Sequence, residues 1–178
     1  MKKYPYIPEG KSISFVSGNN KFILEAKKVA KMSSTDRLQP TGAVVVRKNT
    51  DGTEFEIIGR GANHSPLGKS KLYNKLHQKG LCVRKIFKIP SGHGYWMCPG
   101  CVTNKNHAEG TAVRDAIKKF GLKKVTGSDL YLWGHWYCCK VCWDTMIKAG
   151  ISNVYVLENA SVLFDKNSPN NILGKQFE

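Results

Sequence analysis

The stretch that decides the fold is HAEGTAVRDAIKKFG (residues 107–121), followed by DLYLW (129–133) and CKVCWDTMIKAG (139–150). Apolar residues of the first segment recur at helical spacing: Ala112, Val113, Ala116, Ile117 and Phe120. Gly121 predicts the end of that helix, and the middle segment is typical of a strand. The third segment predicts a second, shorter helix from Cys139 to Gly150. Together they predict two helices that begin at the same edge of a sheet.

Metal-binding residue types stand at both predicted helix starts. His107 opens the first helix, and Cys139 and Cys142, three residues apart, share one face of the second. One His and two Cys thiolates fill three positions of a tetrahedral zinc and leave the fourth open for water. Zinc lowers the pKa of such a water toward neutrality. Glu109 lies two residues from His107, close enough to move protons without binding the metal.

A purely structural zinc is the alternative interpretation of the same motif. Glu109 would then be a solvated helix residue, and the site would be closed by a fourth protein ligand. Candidates for that fourth ligand are Cys138, Cys98, Cys101 and His135.

The rest of the chain predicts further elements around this unit. A helix is predicted over 21–32 and strands over 43–47, 55–59 and 154–157, whereas residues 1–20 and the tail after Glu158 look irregular. This order predicts a three-layer α/β/α sandwich with a mixed central sheet, formed by a single domain that spans residues 1–178. Residues 64–106 form a basic, cysteine-containing insert.

Charge and composition limit the class of protein. The 178 residues carry a formal net charge of +15, and residues 69–88 contain seven basic side chains and no acid. Such a field attracts phosphate-bearing molecules, although a merely soluble basic surface is the alternative. We see no segment resembling a membrane span or a secretory signal. Six cysteines with metal-ligand spacing favour a reducing, cytoplasmic location over disulfides.

These residues resemble the cytidine/deoxycytidylate deaminase superfamily, whose zinc nucleobase deaminases carry H-x-E followed by P-C-x-x-C. The resemblance extends from about Ser34 to Leu157. It is closest to the deoxycytidylate branch, through Ser34-Thr35, Arg37 (one place out of register), Gly42-Ala43-Val44 and the Gly59–Asn63 segment. The insert adds Cys82-Val83-Arg84, Ile89-Pro90-Ser91-Gly92 and Cys98, which resemble the same branch.

Two departures from the family pattern affect the site. Cys138 stands where the family has a proline, and the approach through Trp133, His135 and Trp136 is about two residues longer. The first thiolate ligand is therefore Cys139 if the C-x-x-C spacing is retained, with Cys138 as the alternative.

The resemblance implies a cytidine deaminase-like fold, a Zn²⁺ cofactor and hydrolytic deamination of a cytosine nucleotide, dCMP to dUMP. It implies that Glu109 is the general acid and base, that Asn63 holds the base or sugar, and that Arg37 and Arg84 are candidates for the phosphate. Asn63 is alternatively an ordinary loop residue, and Arg84 a solvated cation. A homo-oligomer is the expected assembly.

Two other functions also fit the sequence. Residues 59–66 also resemble a loop of tRNA adenosine deaminases, so deamination of a base in single-stranded DNA or tRNA is an alternative, with nucleic acid as partner. A non-catalytic zinc module that binds nucleic acid through the insert is an alternative of another class.

The insert contains residues for a second metal ion. Cys82, Cys98 and Cys101 are left over from the first site, and Cys98-Pro99-Gly100-Cys101 resembles a zinc knuckle. His77, His93 or Cys138 would complete the set. Free buried cysteines are the alternative.

Overall fold

The computed structural model describes residues 5–49, 52–89 and 94–178 of the chain. Its strands are β1 (Ile13–Val16), β2 (Gly42–Lys48), β3 (Phe55–Ala62), β4 (Asp129–Trp133) and β5 (Val154–Leu157). Its α-helices are α1 (Lys21–Ser33), α2 (Lys71–Gln78), α3 (Val83–Ile86), α4 (Ala108–Phe120), α5 (Leu122–Val125), α6 (Lys140–Lys148) and α7 (Ala160–Phe164). Two 3₁₀ turns cover Tyr95–Met97 and Asn104–Asn106.

The five strands form one mixed sheet in the order β1-β5-β4-β2-β3. Strand β2 pairs antiparallel with both β3 and β4, whereas β5 pairs parallel with β4 and β1. Gly42, the first residue of β2, lies opposite Ala62 at the end of β3 and Trp133 at the end of β4. The carboxyl ends of β3 and β4 therefore meet at the same edge of the sheet, and the predicted mixed sheet is confirmed.

Helices cover both faces of the sheet. A Cβ on Gly42 would lie 2.2 Å from the carbonyl oxygen of Ala26, so α1 packs on one face of β2. A Cβ on Gly61 would lie 2.2 Å from the amide nitrogen of Ala112, so α4 packs on the opposite face of β3. Helix α6 packs beside α4. These layers confirm the predicted α/β/α sandwich.

Local signals explain where the main helices begin and end. The side chain of Asn20 caps α1 by accepting hydrogen bonds from the N–H groups of Phe22 and Ile23. Gly121 ends α4 with a φ of 79°, which only glycine adopts without strain. The buried stripe of α4 is Ala108, Ala112, Val113 and Ala116, and these small residues permit its close approach to the sheet.

The structure corrects several sequence-based expectations. Residues 1–20 are not wholly irregular, because 13–16 form the edge strand β1, which pairs parallel with β5. Strand β3 runs on to Ala62, three residues beyond its predicted end, because Gly59 and Gly61 are needed against α4. The insert contains α2 and α3, and the tail contains α7. Thr50 and Asp51 of the predicted turn lie outside the described residues.

Within the described part of the chain, no helix combines the length and the apolar character needed to cross a membrane.

We expect Gly61→Ala to lower the free energy of unfolding by about 3 kcal/mol, because the added methyl group overlaps the backbone of α4. Urea denaturation followed by circular dichroism measures the change. Gly18→Ala is the matched control, since its Cβ would lie 3.7 Å from the nearest atom, Cδ1 of Leu157. Equal stability of the two variants would contradict the close packing of α4 on β3.

Candidate metal centre and active site

The candidate site lies at the edge where β3 and β4 end. His107 is the residue immediately before α4, and Cys139 is the residue immediately before α6. Both residues have extended backbone conformations, so each helix begins with its free N–H groups near the site. Because α4 and α6 pack side by side, their two N-termini converge. The helix dipoles there favour anionic ligands such as thiolates.

Three side chains converge with the spacing of a zinc site. His107 Nδ1 lies 3.5 Å from Cys139 Sγ and 3.4 Å from Cys142 Sγ, and the two sulfur atoms are 3.4 Å apart. Zinc–sulfur bonds of about 2.3 Å and zinc–nitrogen bonds of about 2.0–2.1 Å, in tetrahedral geometry, require separations of about 3.5–3.8 Å. The donor set and its spacing therefore fit Zn²⁺ after only small adjustments.

The electrostatics of the two thiols also fit a cation. The hydrogen bond with Cys142 lowers the pKa of Cys139 to about 4, so this thiol carries negative charge. The same hydrogen bond raises the pKa of Cys142, because the thiol of Cys142 keeps its proton beside the Cys139 thiolate, and burial adds to the rise. A divalent cation bound between the two sulfur atoms would stabilise both thiolates.

The structure distinguishes between the two candidate cysteines at 138 and 139. Cys139 groups with His107 and Cys142, whereas the thiol of Cys138 is fully buried against the carboxyl of Glu109. Burial raises the pKa of Cys138 well above its ordinary value, so this thiol stays protonated. The arrangement supports Cys139 as the ligand, in the register that the C-x-x-C spacing predicts.

Glu109 lies in the first turn of α4 with only 4% of its surface exposed. Its carboxyl group contacts the thiols of Cys138 and Cys142. Burial raises the pKa of Glu109, and the nearby His107 opposes the rise. A solvated helix residue, the alternative interpretation of Glu109, does not match this position.

The described residues contribute three ligand atoms to this cluster. Cys98 and Cys101, two candidates for a fourth ligand, belong to another cluster in the insert. His135 lies near enough for the charge of His107 to act on it, but it is not one of the grouped residues. Among the described side chains, the fourth position is therefore open.

His135 is a neutral histidine at this site. Burial is the main reason that its pKa falls to about 4. Its Nδ1 accepts hydrogen bonds from the N–H groups of Trp136 and Tyr137, at 3.1 and 3.4 Å. The remaining proton of the neutral ring is therefore on Nε2, which makes that atom a hydrogen-bond donor.

Asn63 is buried, and the protein itself uses most of its side-chain amide. Its Oδ1 accepts hydrogen bonds from the Ser34 hydroxyl at 2.6 Å and the Thr41 N–H at 2.8 Å. Its Nδ2 donates to the carbonyl of Gln39 at 2.9 Å, which leaves one N–H for another partner. Among the described residues other than glycine, Lys88 is the one with a positive φ. Asn63 therefore does not have the left-handed backbone conformation that the alternative interpretation as a loop residue would favour. Its contact with a base or sugar stays a prediction.

The two candidate arginines lie in different surroundings. Arg37 is exposed and follows Asp36, whose charge acts on both His107 and His77. The Arg84 guanidinium lies 3.8 Å from the centre of the Tyr95 ring and donates to Cys101 Sγ at 3.9 Å. These contacts place Arg84 at the cluster in the insert, and its role with a phosphate stays a prediction.

The insert brings together a second set of metal-binding side chains. Cys82, Cys98 and Cys101 converge as the sequence predicted, and His77 joins them, with all four ligand atoms within 4.8 Å of one another. Of the other two candidates for the fourth position, Cys138 lies at the first site and His93 lies outside the described residues. Pro90, Ser91 and Gly92 of the branch motif also lie outside them.

One surface cleft lies away from both clusters. It has a volume of about 710 Å³, and Arg47, Lys48, Lys123 and Lys124 are among its lining residues. Because it adjoins the end of β2 and the start of β4, it lies at the opposite end of the sheet from His107.

The chain matches a family model and resembles solved structures. The family model described as the cytidine and deoxycytidylate deaminase zinc-binding region matches residues 16–158. No curated protein sequence matches the chain. Several solved structures resemble it at low similarity, and two of them are deaminases. The apo dCMP deaminase of cyanophage S-TIM5 is 22% identical over 76% of this chain and 78% of that chain, with a TM-score of 0.43. The Bacillus subtilis guanine deaminase is 20% identical over 83% of this chain and 71% of that chain, with a TM-score of 0.42.

We expect Cys139→Ser to lose one zinc ion per chain relative to the unchanged protein, because it removes a thiolate from the cluster. Cys138→Ser is the matched control and should retain the full zinc content, since its thiol faces Glu109. Metal analysis by mass spectrometry measures both variants after gel filtration. If Cys138→Ser lost the metal and Cys139→Ser kept it, the ligand register would be wrong by one residue.

Proposed function

The chain belongs to the cytidine and deoxycytidylate deaminase family, and on that premise we propose that it converts dCMP and water to dUMP and ammonia. Zinc-dependent hydrolytic deamination follows from the family, which makes the protein an enzyme and sets aside the non-catalytic zinc module. The observation that carries the proposal is the three-ligand cluster of His107, Cys139 and Cys142 with the buried carboxyl of Glu109 beside it.

Zinc and Glu109 have different roles in the proposed reaction. When zinc is bound, it supplies a Lewis acid that makes water nucleophilic at neutral pH. The Glu109 carboxylate takes a proton from the attacking water and delivers it to N3 of the cytosine ring. It then transfers the second proton of that water to the amino group, which leaves C4 as ammonia. Burial of Glu109 keeps these protons from exchanging with bulk solvent.

The loop residues around the cluster support a pocket for a small nucleotide. Asn63 ties three backbone and side-chain groups of residues 34–41 together, and its remaining N–H is available for the base or sugar. Arg37 is the candidate for the phosphate in our proposal, because it is exposed on the loop whose Asp36 acts on His107. The Nε2–H of His135 is a further candidate donor to the base.

The substrate class rests on charge together with the resemblance of the insert to the deoxycytidylate branch. A net charge of +15 raises the local concentration of anionic nucleotides near the protein. A single phosphate needs only one or two well-placed cations, so this charge exceeds what dCMP alone requires.

Deamination of a base in a polynucleotide is the second candidate, and a specific observation favours it. Phe87, within the basic stretch 69–88, is 70% exposed, and Trp96, shortly after that stretch, is 81% exposed. Exposed aromatic side chains among basic residues provide the stacking and phosphate contacts that single strands use.

Compartment and assembly are part of the proposal. The six cysteines are unpaired, and five of them belong to metal-type clusters, which suits a reducing compartment such as the cytoplasm. A homo-oligomer remains the expectation that the family resemblance carries.

We expect Glu109→Gln to lower kcat on the best substrate by about a hundredfold or more, with zinc content unchanged, because the amide cannot carry the protons. Ammonia release and metal analysis measure the two properties on the same sample. Glu158→Gln is the control, since Glu158 is exposed and should tolerate the change. Retention of a tenth of the activity in Glu109→Gln would remove Glu109 from the proton-transfer role.

A substrate panel separates dCMP from the alternatives. We expect dCMP to be deaminated more efficiently than CMP, deoxycytidine, guanine or a cytosine-containing oligonucleotide, with kcat/KM measured at two salt concentrations. One bound phosphate gives a shallow loss with salt, whereas several phosphates of a strand give a steep one. Efficient, salt-sensitive turnover of the oligonucleotide with negligible turnover of dCMP would establish the second candidate instead.

A further inference from the structure

The four side chains that converge in the insert have the spacing of a tetrahedral metal site. Cys82 Sγ lies 3.8 Å from Cys98 Sγ and 3.6 Å from Cys101 Sγ, and Cys101 Sγ lies 3.7 Å from His77 Nε2. Ligands of one tetrahedral zinc lie about 3.5–3.8 Å apart, given zinc–sulfur bonds of about 2.3 Å. A disulfide is a poorer description, because Cys82 Sγ lies at similar distances from two other thiols, whereas bonded sulfur atoms lie about 2.05 Å apart.

Local backbone structure brings the ligands together in two pairs. His77 lies in the last turn of α2, and Cys82 is the residue immediately before α3. Between Cys98 and Cys101 the chain makes a tight turn in which the Cys101 N–H donates to the Cys98 carbonyl at 2.9 Å. This Cys-x-x-Cys turn directs two sulfur atoms to one point.

Glycine at position 100 allows the two pairs to meet. A Cβ on Gly100 would lie 2.5 Å from Cδ2 of His77 and 2.8 Å from the ring of Tyr73. The turn between Cys98 and Cys101 therefore packs directly against the helix that carries His77, and a side chain at residue 100 would separate the pairs.

The buried side-chain cluster within the insert consists of cysteines. Cys82, Cys98 and Cys101 form a separate cluster, with Val83 and Tyr95 partly buried against it. Larger apolar side chains of the insert are exposed instead: Leu72, Leu81, Ile86, Phe87 and Trp96. Outside this cluster, Val102 is also buried. Three thiols and so few apolar side chains bury too little apolar surface to order the intervening chain, so another source of stability is needed.

From this geometry we propose that the insert binds a second zinc ion through His77, Cys82, Cys98 and Cys101. Four protein ligands close the coordination sphere, so this ion is structural and takes no part in the reaction. Its binding energy orders the insert, since metal binding energy is folding energy when the site does not exist in the unfolded chain.

Neighbouring side chains are placed to support thiolate ligands. The Tyr73 hydroxyl lies 3.8 Å from Cys98 Sγ, and the Arg84 guanidinium lies 3.9 Å from Cys101 Sγ. Donors of this kind stabilise metal-bound thiolates and hold them in orientation. The contact gives Arg84 a role at the second metal that needs no nucleotide.

The second metal site also connects the insert to the edge of the sheet where β3 and β4 end. The Leu67 N–H donates to the carbonyl of Pro99, inside the metal-binding turn, at 3.1 Å. Two residues earlier, the Ser65 N–H donates to Thr35 Oγ1 at 2.9 Å, on the loop that Asn63 holds. The second ion would therefore hold the segment 65–67, which contacts the loop around Asn63, in place.

Metal stoichiometry tests the proposal with a readout other than activity. We expect the zinc-loaded protein to hold two ions per chain, Cys98→Ser and Cys139→Ser to hold one each, and the double variant to hold none. One ion per chain in both the unchanged protein and Cys98→Ser would overturn the second site. If Cys98→Ser held one ion and Cys139→Ser still held two, the second site would stand and the assigned catalytic ligands would fail.

Two further measurements keep the test decisive if Cys98→Ser does not fold. His77→Cys should keep both ions, because a fourth thiolate also closes the site, whereas His77→Gln should release one ion to a chelator about tenfold faster. Equal release from these two variants would contradict a role for His77. In the unchanged protein, zinc should protect Cys82, Cys98 and Cys101 from alkylation until a chelator is added. A disulfide among them, detected by mass, would overturn the proposal.

Discussion

The contact between α4 and β3 is the constraint on which the site depends. Gly59 and Gly61 have no side chains toward the helix, and the buried face of α4 consists mainly of alanines, so the two backbones approach closely. This contact sets the position of the helix start and therefore of His107 and Glu109. Helix α6, packed beside α4, then places Cys139 and Cys142 within 3.5 Å of the imidazole. A side chain on β3 at this contact would move His107 away from Cys139 and Cys142.

The chemistry follows from placing several ionisable groups in one buried volume. Two thiols and a carboxyl cannot all be ionised at such short distances without a cation, and their pKa values shift in opposite directions. Zinc resolves this conflict for the thiols, while Glu109 remains a group that can hold or release a proton. Burying these groups raises the free energy of their charged forms. The metal and the helix N-termini stabilise those charged forms and offset this effect.

The charge of one residue, Asp36, acts on a histidine of each metal-type cluster. Asp36 lies between the end of α1 and the start of β2, and it acts on both His107 and His77. The loop that contains Asp36 is in turn held by Asn63, so a substrate pocket at this edge would be formed partly by the main sheet and partly by the insert. The insert also carries the densest positive charge of the sequence, in residues 69–88, and the highly exposed Trp96.

The sequence by itself determined the elements whose signals are local. The sequence predicts α1, α4 and α6 from their periodic apolar residues, because helix spacing places such residues on one face. It also predicts the two helix starts that carry metal-ligand residue types. The sequence does not predict strand β1. Its four residues lie in a segment rich in proline and glycine, and they form a strand only by pairing with β5, far along the chain. Only the tertiary structure brought His77 to the three cysteines of the insert, placed Arg84 against Tyr95 and showed which groups bind the Asn63 amide. Each of these outcomes depends on which distant groups compete for the same side chain, and spacing along the chain carries no information about that competition.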